Sequence, residues 1–150
     1  MDDVDAAILR ELQLDARLTN RQLAARVGVA PSTCSLRLRA LEQRGVLKGY
    51  HADVDLDRVG LGVQAVIAFQ IRPLSREAIA SFKAFALKQP EVLAVFVLGG
   101  GDDFLVHVAV PSVPDVHALL VDRFSGRREV VSFRTSIVFE QTQRRAVQPR

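Results

Sequence analysis

The chain has 150 residues, 49% hydrophobic and 25% charged, with 9 Gly and 6 Pro. That profile suits one ordinary domain or two small ones and excludes a disordered chain and a large multidomain enzyme. One cysteine excludes an internal disulfide and a cysteine-based zinc site, and apolar runs such as Val92 to Leu98 fall far short of the roughly 20 residues that cross a bilayer. The net charge is +3, and between Ala30 and Tyr50 four cations (Arg37, Arg39, Arg44, Lys48) face one acid (Glu42), a local excess equal to that of the whole chain.

In chain order, Val4, Ile8, Leu9 and Leu12 recur at spacings of three and four, which predicts an amphipathic first helix capped by Asp2 or Asp3 and ending near Asp15. This acidic start differs from a basic signal or transit peptide, so a reducing, cytoplasmic location is expected. Thr19 and Gln22 have the spacing of a capping box and open a second helix, with Leu23, Ala24 and Val27 on its buried face and Gly28 at its end. Pro31 suits the first position of a third helix, because its missing N–H would have no partner there; Gly45 closes that helix. Lys48 to Gly60 is polar and carries Asp53, Asp55 and Asp57 in alternation. It lacks the glycine and terminal glutamate of an EF-hand loop, so it reads as a linker and no metal site is expected.

From Val63 the period changes. Val63, Ala65, Ile67, Phe69 and Ile71 alternate with their neighbours as in a strand, and Ile79, Phe82, Phe85 and Ala86 then share a helical face. Val92–Leu98 and Phe104–Val110 flank a glycine-rich turn as a hairpin, a helix from about Pro114 to Phe124 follows, and Phe133–Phe139 is the last strand. The order βαββαβ predicts a ferredoxin-like domain, an α+β fold with both helices on one face of an antiparallel sheet. If the helices cover Val106, Val108 and Ile137, the open side carries Val66, Ala68, Leu105, Ala109 and Val138 among Gln64, His107 and Ser136. Such exposed apolar surface predicts a homodimer. The expected organisation is therefore 1–50 DNA-binding, 51–62 linker, 63–140 ferredoxin-like and 141–150 tail.

The second and third helices with their short turn form a helix-turn-helix, whose second helix enters the major groove. At about 100° per residue, Cys34, Leu38 and Leu41 define its buried seam, and Ser32, Ser35, Leu36 and Arg39 lie opposite. Arg grips guanine with two bonds, Ser bonds either base type, and an exposed Leu touches a thymine methyl. Thr33 joins this DNA-binding set, and Arg21, Arg26, Arg44 and Lys48 are placed for phosphates. Arg37 sits at the seam edge, where a DNA contact and an internal salt bridge are both open.

The run TNRQLAARVGVAPSTCSLRLRALEQRGVLKGYHADVD, with an Asp-led helix before it and GGGDDFLVHVAV and RTSIVFE after it, resembles the Lrp/AsnC family of transcription regulators over about residues 2 to 140. The resemblance implies a winged helix-turn-helix and a ferredoxin-like domain that dimerises, assembles into tetramers or octamers, and often binds an amino acid. Ala30 departs from the family's capping Ser, a loss of about 1 kcal/mol. Leu36 departs from a position often polar or charged in the family.

Glycines free the turn Gly99–Asp103 to aim N–H groups at an anion, and an acid nearby can receive an ammonium group. Gly100 and Asp103 match the family's Gly-x-x-Asp pattern, and Thr135 and Ser136 match a strand near its effector pocket. Gly100, Gly101, Asp102, Asp103, Thr135 and Ser136 are thus the candidate effector residues, although three glycines and two acids also suit a plain hairpin turn.

No P-loop, dinucleotide fingerprint or nucleophile with an adjacent base is present; His51, His107 and His117 are scattered and Cys34 lies on the seam. The reading is a sequence-specific transcription regulator with no enzymatic activity and no cofactor, modulated by an amino-acid-type effector. The alternatives are an effector-independent architectural DNA-binding protein and an amino-acid sensor acting through protein partners.

Overall fold

The computed structural model describes residues 1–144, 146 and 147. It divides into Met1–Asp53 joined by the segment that begins at Thr142, and Val54–Gln141. Of the expected tail, positions 145 and 148–150 lie outside the described residues.

The first unit has three helices, α1 (Asp3–Leu14), α2 (Asn20–Val27) and α3 (Pro31–Gln43). Their ends follow local chemistry. Asp2 accepts the Asp5 N–H at 2.9 Å, and Thr19 and Gln22 complete the capping box in both directions. Gly28 takes φ +74°, a left-handed conformation that side chains with a Cβ adopt only at a cost, and so lets the chain turn sharply between α2 and α3. Ile8, Leu9, Leu12, Leu23, Ala24, Cys34 and Leu41 form the core. Gln13 bonds the backbone of Val147 in both directions, at 3.1 and 2.8 Å, which ties the C-terminal segment to α1.

After α3 the chain runs as turns and coil through residue 62, apart from one 3₁₀ turn at Asp57–Val59. No strand forms there, so the expected wing is coil in this chain. Asp55 is occupied by Arg58, whose backbone N–H and Nε reach it at 3.2 and 3.1 Å.

The second unit comprises β1 (Val63–Ile71), α4 (Arg76–Leu87), β2 (Val92–Val97), β3 (Phe104–Val110), α5 (Val113–Leu119) and β4 (Val130–Val138). α5 continues as a π-helical turn, Leu120–Phe124. The sheet order is β2-β3-β1-β4 and every pairing is antiparallel. This is the βαββαβ arrangement. Pairing opposite Ala65 and Ile67 puts Val108, Val106, Ile137 and Thr135 on one side, and that side faces the helices. Its core centres on Phe69, whose ring lies 5.2 Å from Phe82 and 5.0 Å from Phe124.

Two details differ from expectation. β4 begins at Val130, three residues before Phe133, because a register shift after Gln70 lets Ile71 pair with Val130. Ala109, expected on the open side, is fully buried. The register shift between Val92 and Ala94 brings Glu91 beside it, and the Ala109 N–H bonds the Glu91 carbonyl at 2.9 Å.

Candidate nucleic-acid interface and glycine turn

α3 is held by its neighbours from both ends. Asn20, the first residue of α2, donates from Nδ2 to the Pro31 carbonyl at 2.8 Å and so ties the start of α2 to the start of α3. This tie replaces no cap: Ala30 offers no side-chain bond to the helix. At the other end Gly45 is left-handed, and the Leu41 carbonyl accepts from Val46 and Leu47. Tyr50 donates to Glu42 Oε1 at 2.9 Å, which brings the following segment back onto α3. Burial, with help from Glu42, pushes the Tyr50 phenol up to about 12.

The seam of α3 is as expected, with Cys34 and Leu41 fully buried and Leu38 packed against the core. Burial pushes the Cys34 thiol up. Ser32, Thr33, Leu36 and Arg39 are exposed and Ser35 is half-buried. Leu36 is 68% exposed, unusual for a leucine on a helix that has a core to face. Arg21, Arg39, Arg44 and Lys48 are exposed and form no ion pair among the described residues.

Two arginines are engaged elsewhere. Arg37 Nη1 reaches Asp2 at 2.5 Å and Asp5 at 2.9 Å, an internal salt bridge that clamps α3 to the start of α1. The Asp5 N–H first, and Arg37 second, hold the Asp2 carboxyl below its ordinary value. Arg26 pairs with Glu11 of α1 at 3.1 Å. Asp5 and Glu11 lie in α1 and Asp2 caps it, so all three acids stand outside the helix-turn-helix.

In the second unit, the turn after β2 contacts the far strands. Gln70 donates to the Gly101 carbonyl at 2.7 Å and accepts from Ser132 at 3.0 Å, and Arg134 of β4 reaches Asp102 at 2.6 Å. Gly100 has φ +155°, which lets the turn reach toward β1 and β4. Asp103 has a different task. It is 7% exposed, and its Oδ2 accepts the Ile71 N–H at 2.8 Å and Arg72 Nη1 at 3.0 Å. These bonds make Asp103 a pin at the end of β1. Thr135 and Ser136 pair with Ile67 and Val66, so they point to opposite sheet faces, and only Ser136 shares the open face with Arg134. Arg134 was not anticipated; its charge in a strand was the only available signal.

Asp103→Ala is expected to cost about 1–3 kcal/mol, because the buried Ile71 N–H loses its acceptor. Thermal unfolding of the two proteins measures this. An unchanged midpoint together with lost amino-acid binding would return Asp103 to an effector role.

His107 lies on the open face with a ring nitrogen 2.9 Å from Gln64 Oε1, and burial holds its pKa below the ordinary value. Val66, Ala68, Leu105 and Val138 are half-buried on the same face, and Phe96, opposite Leu105, is 54% exposed. Among the described residues no helix is long and apolar enough to cross a membrane.

Comparison with known proteins yields two family models in chain order: a winged helix-turn-helix DNA-binding model over residues 1–48 and an Lrp/AsnC ligand binding domain over 64–147. The HTH-type transcriptional regulator AldR of Mycolicibacterium smegmatis is 41% identical over 140 residues, covering 93% of this chain and 82% of that protein. A transcriptional regulator of Neisseria meningitidis, crystallised as a complex with L-Met, superposes with a TM-score of 0.91 at 33% identity, over 99% of this chain and 96% of that one. AsnC of E. coli gives a TM-score of 0.87 at 26% identity, over 99% of both chains.

Proposed function

Because this chain belongs to the Lrp/AsnC family of transcriptional regulators, we propose that it reads its operator through the outward face of α3. It is a DNA-binding regulator with a ligand-binding domain, and not an enzyme. One observation carries the proposal: Ser32, Leu36 and Arg39 stand exposed opposite the seam of Cys34, Leu38 and Leu41, and Arg39 has no ionic partner within the described residues. Ser35 and Thr33 flank the stripe, and Arg21, Arg44 and Lys48 supply phosphate contacts. Arg37 acts indirectly, by holding α3 on α1.

Full-length protein is expected to enrich a partly palindromic duplex from a random pool. It should bind that duplex about a thousandfold or more tighter than random DNA. Equal affinity for random competitor would favour architectural coating. A lack of salt-dependent DNA binding would favour a sensor acting through protein partners.

Dimerisation through the open sheet face fits its exposed apolar side chains, and a dimer would place two α3 helices in successive major grooves. Higher assembly to a tetramer or octamer would build on that dimer. Light scattering at micromolar concentration measures both. A regulator of this kind meets its DNA in the cytoplasm.

The effector reading rests on the Arg134–Asp102 pair beside Gly100, Gly101 and Ser136, and on the L-Met complex of the Neisseria relative. An amino acid has one group for each member of that pair: its carboxylate suits Arg134 and its ammonium suits Asp102. Isothermal titration with the twenty amino acids tests this, and silence from all of them would reject it.

A further inference from the structure

The side chain of Leu36 is explained by neither the core nor the cap chemistry of α3. It takes no part in the first unit's hydrophobic cluster, and at about 100° per residue it lies roughly opposite the middle of the seam. At spacings of three and four its neighbours are Ser32, Thr33, Arg39 and Ala40, so beyond one alanine methyl it is a lone large apolar group in a polar setting, too small to be a protein interface. In the major groove, the apolar group on the base edges is the C5 methyl of thymine.

Ser32, Leu36 and Arg39 also share one stripe, since steps of four and three residues keep side chains on the same helical face. Leu36 and Arg39 are separated by about 4.5 Å along the axis, against roughly 3.4 Å per base step of DNA. Neighbouring side chains on this stripe therefore lie over bases one or two steps apart. A guanidinium offers two parallel donors to guanine O6 and N7.

Building on the reading of α3 as the recognition helix, we propose that Leu36 reads the methyl group of a thymine one or two base pairs from a guanine held by Arg39. The exposed leucine is then a specificity determinant.

The test uses the full-length protein and a duplex enriched from a random pool. Each thymine is replaced in turn by deoxyuridine, which keeps the base pair and removes the methyl. Wild type and Leu36→Ala are compared by fluorescence anisotropy, with thermal midpoints confirming that both are folded. One thymine per half-site, near a guanine, should cost the wild type about fourfold in affinity when its methyl is removed, the value of burying one methyl-sized group. Leu36→Ala should bind the unmodified duplex more weakly and lose nothing further at that thymine.

The proposal is overturned if no thymine shows this loss, or if Leu36→Ala loses as much as wild type. Retained preference over random DNA would then leave the recognition-helix reading intact. If no duplex is enriched at all, that reading fails, and the role of Leu36 fails with it.

Discussion

Arg39→Ala is expected to weaken binding to the enriched duplex by about 5- to 150-fold, the range of one good bidentate base contact. Binding to random duplex should change far less. The expectation follows from the position of Arg39: exposed, on the stripe with Ser32 and Leu36, and with no carboxylate partner among the described residues to hold it back. Arg39→Lys separates fork geometry from charge. Lysine keeps the positive charge but lacks the planar pair of donors, so it should restore random-DNA affinity and leave much of the specific loss. Equal losses on both duplexes, with a salt dependence shallower by about one phosphate, would make Arg39 a backbone contact.

Leu41→Ala should abolish DNA binding through the fold of the first unit. Leu41 is fully buried among Ile8, Leu9, Leu12, Leu23, Ala24 and Cys34. Truncating such a leucine costs about 2–5 kcal/mol, a large part of the 5–15 kcal/mol typical of a whole domain. The three helices have 12, 8 and 13 residues, lengths at which isolated helices are marginal in water, so α3 depends on this packing for its existence. The second unit has a separate core around Phe69, Phe82, Phe104 and Phe124. Hydrogen exchange should therefore lose protection in α1–α3 and retain it in β1 and β3. Simultaneous loss across both units would show that they unfold as one.

Much of the architecture is set by neighbours close in sequence, which is why it could be read before the structure. Asp2, the Thr19–Gln22 box, Gly28 and Pro31 act within one helical turn, and each does what its chemistry predicts. Strand alternation in Val63–Ile71 likewise identified the buried face of β1. Ala109 escaped this logic. Its alternation was read correctly, but the register shift in β2 that covers it depends on the pairing partner.

The exposed face of α3, and hence the set proposed to read DNA, follows from the sequence because a helix carries its own angular reference: once Cys34, Leu38 and Leu41 are inside, Leu36 and Arg39 must be outside. The partners of the charged side chains followed no such rule. Arg37 meets Asp2 and Asp5, Asp103 meets Ile71 and Arg72, and Arg134 meets Asp102, all across separations of 31 to 35 residues. Charge acts through space, so only the folded chain decided that Arg37 clamps one helix to another, that Asp103 pins a strand, and that Arg134 and Asp102 stand together on the open face.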